Sequence, residues 1–146
     1  MKKIHKKLLS DLNKIASHFK LKLSKIDAVK NTAFAIDNSK KKLLFIDGNE
    51  LPYFKTIDLD NVETCTLKID YGRIDAGDLE IRTIDNSIVK VELQISHDNP
   101  SKSVVIAFYN INEDNVSELQ PLIDKATNWR DTIAAKLPVR VAVRAC

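Results

Sequence analysis

Residues 34–47, FAIDNSKKKLLFID, place two apolar segments on either side of a short polar stretch. Asn38 and Ser39 favour a tight turn because their side chains can hydrogen-bond to nearby backbone groups. Two strands so close in sequence pair antiparallel, since a parallel crossover needs about a dozen residues or more. The stretch therefore predicts a β-hairpin with strands at 33–37 and 41–47.

Further strand patterns follow this hairpin. Residues 89–96, VKVELQIS, alternate apolar and polar side chains and form the clearest strand pattern in the chain. A break of phase near Cys65 indicates a bulge or a partly buried second face. The other predicted strands lie at 53–58, 61–69, 79–84 and 103–109. About seven antiparallel strands are thus expected to form a bent sheet or a sandwich.

Two amphipathic helices flank the predicted strands. Apolar residues recur at spacings of three and four over residues 2–21, and lysines occupy the other faces of that helix. A second apolar stripe covers residues 116–137 and ends before Pro138. Asn112 or Asp114 is predicted to cap the start of this second helix, because short polar side chains satisfy the first free N–H groups.

Length and composition indicate a folded, cytoplasmic protein. The chain has 146 residues, of which 44% are hydrophobic and 29% charged, and this suits one domain with its own core. No apolar run approaches the roughly 20 residues of a membrane span, and no signal-peptide core follows the basic N-terminus. Cys65 is expected in the core and Cys146 at an exposed chain end, so no disulfide is expected.

The net charge of +3 is distributed unevenly. Residues 1–42 contain twelve Lys and three Asp, a balance of +9, and residues 43–146 therefore carry −6. A basic segment beside an acidic one permits anionic partners, although the protein's own acidic residues can equally neutralise it.

The order of these elements, with Trp129 in the last helix, resembles the pleckstrin-homology-like (PH-like) family. The resemblance implies an α+β fold, a PH-like antiparallel sandwich or barrel of about seven strands capped by a C-terminal helix. The family's tryptophan fills the open end of the sandwich, and the N-terminal amphipathic helix is an addition to it. The expected organisation is a basic helix and connector at 1–31, the PH-like domain at 32–137 and a tail at 138–146.

The lysines in the first hairpin have two interpretations. Phosphoinositide-binding PH-like members carry a basic signature around this hairpin, and the resemblance implies an anion site at Lys30, Lys40, Lys41 and Lys42. Lys42 stands where that family has Arg, which removes a bidentate phosphate contact, and Lys30 precedes the first predicted strand. A solvated turn is the favoured interpretation, since lysine runs in turns usually face water.

The apolar stripe of the N-terminal helix must be covered by another surface. It can pack on its own domain, pair with a second copy at heptad spacing, or lie on an anionic membrane. Nucleic acid is a weaker partner, because the helix has one aromatic residue and no Arg. The residues expected to form this interaction helix are Leu8, Leu12, Ile15 and Phe19.

The motifs do not assemble a reaction centre. Ser96, His97 and Asp98 have the residue types of a hydrolase triad, but adjacent strand residues point to opposite faces. Two sets of aspartates lack the spacing of a metal-binding loop. These sets are Asp58 with Asp60, and Asp70 with Asp75 and Asp78.

We therefore expect a non-catalytic binding or assembly module without a cofactor, a metal or a small-molecule substrate. Its expected partner is another protein or a second copy of the chain. The alternative is a peripheral membrane module that binds anionic lipid through the basic N-terminal helix and the Lys40–Lys42 hairpin.

Overall fold

The computed structural model describes residues 3–48, 53–72 and 88–138. The fold is α+β and rich in antiparallel strands. The elements are helix α1 (Lys3–His18), strands β1 (Lys25–Val29), β2 (Thr32–Asp37), β3 (Lys42–Asp47), β4 (Tyr53–Asp58), β5 (Val62–Tyr71), β6 (Ile88–His97) and β7 (Val104–Asn110), and helix α2 (Leu119–Ala134).

The strands form two antiparallel sheets. Strands β1 to β4 lie side by side in chain order in a four-stranded sheet, and β5 to β7 form a three-stranded sheet in the same manner. The sequence predicted either a sandwich or a barrel. In the described part of the chain the two sheets are not hydrogen-bonded to each other, so they do not form a closed barrel. A bulge between Val62 and Thr64 lies near the predicted break of phase at Cys65.

The predicted hairpin is present, and one strand was missed. Residues Asp37 and Lys42 form the last pair of β2 and β3, on either side of the lysine turn. Residues 25–29, expected to be part of a connector, form β1 and pair with β2. The missed strand is short and carries two charged residues, which obscured its apolar pattern. The strand predicted at 79–84 and the tail from residue 139 lie outside the described residues.

Both faces of the four-stranded sheet are covered. Leu8, Leu12 and Ala16 of α1 are buried on one face, against Ala33, Ala35, Leu44 and Ile46 of β2 and β3. The opposite face joins residues of the three-stranded sheet and of α2 in the main core. Because both faces of β2 are covered, five of its six residues are buried, as in a strand inside a layered fold.

Helix α2 closes the main core with Trp129. The indole is 1% exposed and meets the Phe34 ring edge to face, with the ring centroids 4.8 Å apart. Its Nε1 donates a hydrogen bond of 2.9 Å to Oδ2 of Asp27, so the indole also anchors α2 to β1. This arrangement satisfies the one polar group of a large buried side chain.

The start of α2 differs from the prediction. Residues 116–118 form a 3₁₀ turn, which is capped by the side chain of Asn115, and the α-helix begins at Leu119. The predicted cap residue Asp114 instead accepts a hydrogen bond of 2.9 Å from the backbone N–H of Asn110. Pro121 is the third residue of α2, where its missing N–H removes no helical hydrogen bond.

Candidate anion-binding surface

The buried carboxylate of Asp37 organises the turn between β2 and β3. Its Oδ1 accepts hydrogen bonds from the backbone N–H groups of Ser39 and Lys40 and from the Ser39 hydroxyl, at 3.0, 3.1 and 2.7 Å. Its Oδ2 accepts one of 2.8 Å from the backbone N–H of Lys22. The Lys22 bond, followed by the Ser39 hydroxyl, lowers the pKa of Asp37 from 3.8 to about 2. Asp37 therefore remains ionised.

The end of α1 lies against this turn. The backbone N–H of Leu21 donates to the Ala16 carbonyl at 2.8 Å, and that of Lys20 donates to the Ser17 carbonyl at 3.1 Å. These two bonds form a Schellman motif, which ends a helix with one residue in the left-handed conformation. That residue is Lys20, with φ of 58°. The ammonium of Lys40 donates to the Lys20 carbonyl at 2.6 Å, which joins the helix end to the turn.

Four exposed lysines lie on these two joined segments. We call them the lysine surface, and they are Lys20, Lys22, Lys40 and Lys41. Within the described ranges none of their ammonium groups forms an ion pair with a carboxylate. The carboxylate of Asp37 is buried among hydrogen-bond donors of both segments and offsets part of this charge. The surface thus presents a local excess of positive charge.

Lys42 and Lys30 do not belong to the lysine surface. Lys42 is half-buried and lies directly opposite Asp58 in the β3–β4 pair. Lys30 lies in the β1–β2 turn, at the other end of the six-residue strand β2. At about 3.3 Å per residue, β2 separates the two turns by roughly 17 Å.

Lys30 is instead held by local contacts. Its ammonium contacts the carboxylates of Asp114 and Glu113, the second at 3.3 Å. Its carbonyl lies 2.6 Å from Nε2 of His5. Of the four predicted residues, only Lys40 and Lys41 therefore belong to the lysine surface. Lys42 is half-buried beside them and Lys30 lies in the other turn, so the four do not form one site.

Lys20 and Lys22 were not among the predicted site residues. They lie at the C-terminal end of the predicted helix, where a basic residue is ordinarily assigned to favourable contact with the helix C-terminus. The only sequence signal was the alternation of lysine and leucine at residues 20–23, directly after the helix.

Backbone conformation distinguishes three lysines. In the described part of the chain, the residues other than glycine with positive φ are Lys20, Lys30 and Lys41, at 58°, 54° and 54°. This conformation raises the free energy of a residue with a Cβ by roughly 1–2 kcal/mol, and that of glycine hardly at all. Backbone strain of this kind concentrates at functional sites. Two of the three strained residues, Lys20 and Lys41, belong to the lysine surface.

The four residues of the expected interaction helix have different environments. Leu8 and Leu12 are buried against the chain's own sheet, and Ile15 is half-buried beside them. Phe19 is 43% exposed, and its ring lies 6.0 Å from the ring of Phe54, measured between centroids. The stripe is thus covered by its own domain, one of the three alternatives considered above, and only Phe19 stands largely outside this contact.

A second candidate surface is a cleft beside β1. It has a volume of about 450 Å³, and its lining residues are His5, Leu9, Ile26, Asp27, Ala28 and Lys125. The backbone N–H of Ala28 donates to Oδ1 of Asp27 at 2.8 Å, and Lys125 contacts the same oxygen at 3.2 Å. Because this N–H is already bonded, β1 is a poor template for an added strand at that position.

The candidate catalytic and metal residues occupy structural positions. His97 is buried, and its Nδ1 accepts a 2.8 Å hydrogen bond from the backbone N–H of Asn99, so this nitrogen is not donating to a carboxylate as in a hydrolase triad. Asp58 caps a 3₁₀ turn through a 3.0 Å bond from the N–H of Asp60. No group of three or more His, Cys, Asp or Glu among the described residues is arranged to hold a metal.

Asp75 and Asp78 are outside the described residues. Cys65 is buried in β5, as the sequence predicted, and desolvation raises the pKa of its thiol to about 12.

Comparison with known proteins gives no relative. No protein-family model, no curated protein and no solved structure matches the chain. Neither α1 nor α2 combines the length and the apolar character of a bilayer-spanning segment, and the described residues contain no other α-helix.

Proposed function

We propose that the chain is a non-catalytic binding module that engages an anionic partner through the lysine surface. The observation that carries this proposal is the construction of the surface around Asp37. One buried carboxylate binds backbone N–H groups of both segments, Lys22 on one and Lys40 on the other, and so holds together the two backbone segments that carry the four lysines. Lysines on a backbone that the fold holds in place lose less conformational freedom on binding than lysines on a flexible chain.

The backbone strain supports the same function. Glycine is the residue that favours the conformations of Lys20 and Lys41, yet both positions carry an ammonium group. Binding sites often keep residues that lower stability but serve function. Lysine at these two positions of positive φ is consistent with such a role.

We also propose that the two sheets pack as a PH-like sandwich. The chain forms a four-stranded sheet, then a three-stranded sheet, then a helix that places Trp129 in a core shared by both sheets. The resemblance implies this order of elements. In this arrangement the first hairpin is β1–β2, and the lysine surface lies at the turn of the next hairpin, β2–β3. The proposed contact is therefore displaced from the hairpin that carries the family's basic signature.

The ligand chemistry is a surface with several negative charges. An acidic protein and an anionic bilayer both provide it, and each lysine near such a bilayer contributes about 1 kcal/mol. A cytoplasmic location, as expected from the sequence, suits this chemistry because the cytoplasmic leaflet is rich in anionic lipid. Self-association through the α1 stripe has less support, since Leu8 and Leu12 would have to leave their own sheet to meet a second copy.

The test compares two double variants with the same change in charge. Lys20→Gln/Lys40→Gln removes two members of the lysine surface, and Lys68→Gln/Lys102→Gln removes two exposed lysines of β5 and of the turn before β7. We expect the first variant to elute from heparin–agarose at a clearly lower salt concentration than the second, because local charge controls polyanion binding. Equal shifts for both variants, or no retention of the wild-type protein, would contradict the proposal.

A further inference from the structure

Two phenylalanine rings form an exposed apolar pair beside Lys20, the first residue of the lysine surface. Phe19 follows α1 and is 43% exposed, and Phe54 on β4 is 41% exposed. Their centroids are 6.0 Å apart and their planes are tilted by 58°, a favourable aromatic arrangement. Each ring therefore buries part of the other, but about two fifths of each faces solvent.

The pair adjoins the positive charge through Phe19. Lys20 is the next residue after Phe19, and its carbonyl accepts the ammonium of Lys40 at 2.6 Å. Phe54 lies opposite Ile46 in the β3–β4 pair, four residues along β3 from Lys42, so Phe54 meets the surface through its contact with Phe19. Ile46 belongs to the face of the sheet that α1 covers. The two rings thus share the α1 side of the molecule with the end of α1 that carries the first lysine of the surface.

We infer that the Phe19–Phe54 pair and the lysine surface together dock on an anionic lipid bilayer. This inference rests on the proposed function and names the source of the negative charge. A bilayer places anionic headgroups directly above hydrocarbon, so a site that combines positively charged lysines with apolar rings matches both layers. The rings enter the boundary between headgroups and acyl chains, and the long lysine stems keep the ammonium groups at the headgroups.

This geometry differs from that of a helix lying flat on a membrane. The apolar stripe of α1 is already buried against β2 and β3 and offers Leu8 and Leu12 to no other surface. The bilayer contact is made instead by the C-terminal end of α1 together with β4. Apolar insertion predicts a component of binding that salt does not screen, unlike the contacts made by lysines alone.

The test is sedimentation with vesicles of phosphatidylcholine alone or mixed with phosphatidylserine, at low salt and at roughly 1 M salt, where the screening length is about 3 Å. The variant is Phe19→Ser/Phe54→Ser. The control is Val105→Ser/Val116→Ser, which removes two side chains that are 52% and 59% exposed elsewhere on the protein. The emission of the buried Trp129 verifies that each variant is folded.

The expected result has two parts. The wild-type protein and the control bind the mixed vesicles at low salt and keep part of that binding at high salt. The phenylalanine variant binds about tenfold more weakly at low salt and loses the high-salt fraction, because it no longer buries apolar area in the bilayer. Equal binding by the phenylalanine variant and the wild-type protein would overturn the inference.

Other outcomes separate the inference from the proposed function. Retention on heparin without binding to any vesicle overturns the bilayer as the partner and leaves the lysine surface as an anion-binding site, with an acidic protein as its partner. Failure of both assays overturns both proposals. Self-association that is lost in the phenylalanine variant also overturns the inference, since the pair would then contact a second copy.

A second variant avoids dependence on the loss of binding. Phe54→Trp keeps a large ring at the same position and adds an exposed indole to the buried one of Trp129. Its emission should shift to the blue when mixed vesicles are added, because the indole enters a less polar environment. An unchanged spectrum at saturating lipid would overturn insertion of the ring.

Discussion

The backbone N–H of Lys22 donates a hydrogen bond of 2.8 Å to Oδ2 of Asp37, fifteen residues further along the chain. The other oxygen of the same carboxylate binds the β2–β3 turn through Ser39 and Lys40. One buried negative charge therefore fixes two segments that carry exposed positive charge. The proposed binding surface is a consequence of this arrangement, which no pattern of lysines alone would reveal.

Asp37 predicts a loss of stability in acid. Its pKa is lowered from 3.8 to about 2 by folding, so its stabilising effect is complete above about pH 4 and disappears as the pH falls through about 2. The effect on the free energy of unfolding is at most about 2 kcal/mol, because nearby solvent screens the carboxylate. Urea unfolding between about pH 5 and pH 2 should show this slope in the wild-type protein and a shallower slope in Asp37→Asn.

The control for Asp37 is Asp124→Asn, which changes an exposed carboxylate bonded to Gln120 on the surface of α2. This variant should keep the acid slope of the wild-type protein. If Asp37→Asn also kept that slope, the assignment of a structural role to the Asp37 carboxylate would be wrong.

Lys41→Gly should stabilise the protein while weakening its binding. Glycine relieves the cost of positive φ at this position, so the free energy of unfolding should rise by roughly 1 kcal/mol, and one ammonium group is lost from the lysine surface. Lys40→Gly is the matched control, because Lys40 is not in the left-handed conformation and gains no such relief. Urea unfolding and elution from heparin measure the two effects. A destabilised Lys41→Gly would show that the lysine itself supports the fold.

Trp129 and Asp27 should be energetically coupled. Trp129→Phe removes the hydrogen bond to Asp27 and some buried volume, and should lower the free energy of unfolding by about 2 kcal/mol. A double-mutant cycle with Asp27→Ala, measured by urea unfolding and monitored by circular dichroism, should give a coupling energy of roughly 1 kcal/mol between the two residues. Strictly additive costs would mean that the bond between α2 and β1 contributes nothing to stability.

Cys65 should resist alkylation in the folded protein. Burial raises the pKa of the thiol from 9.0 to about 12, so the reactive thiolate is about a thousandfold scarcer than in an exposed thiol. Mass spectrometry of the peptide containing Cys65, after treatment with iodoacetamide, should show little modification without urea and rapid modification in urea. Rapid labelling of the folded protein would contradict the buried position of Cys65 in β5.

The antiparallel architecture could be predicted because its signals are local. The hairpin at 34–47 and the alternation at 89–96 depend on neighbours in sequence, and both appear as strands at nearly the predicted bounds. Strand β1 was missed because Lys25 and Asp27 interrupt its pattern. Both side chains are accommodated by long-range contacts with α2, which sequence periodicity does not report.

The candidate site was only partly predictable for a similar reason. The run Lys40–Lys42 is visible in sequence, and its place in a hairpin turn follows from local rules. The contribution of Lys20 and Lys22 depends on the contact between the end of α1 and Asp37, and the separation of Lys30 depends on the length of β2. Both are tertiary facts. The exposed neighbour of Phe19, Phe54, likewise becomes apparent only when α1 packs on the sheet.

The most direct test of the central claim is an ¹⁵N–¹H NMR titration with bicelles that contain phosphatidylserine. We predict that the largest amide shifts fall at residues 19–22, 37–42 and 54, and that Lys30 in the opposite turn remains unperturbed. Neutral bicelles serve as the control and should give much smaller shifts at the same residues. Shifts centred on the β1 cleft, or no shifts with either bicelle, would contradict the assignment of the lysine surface as the binding site.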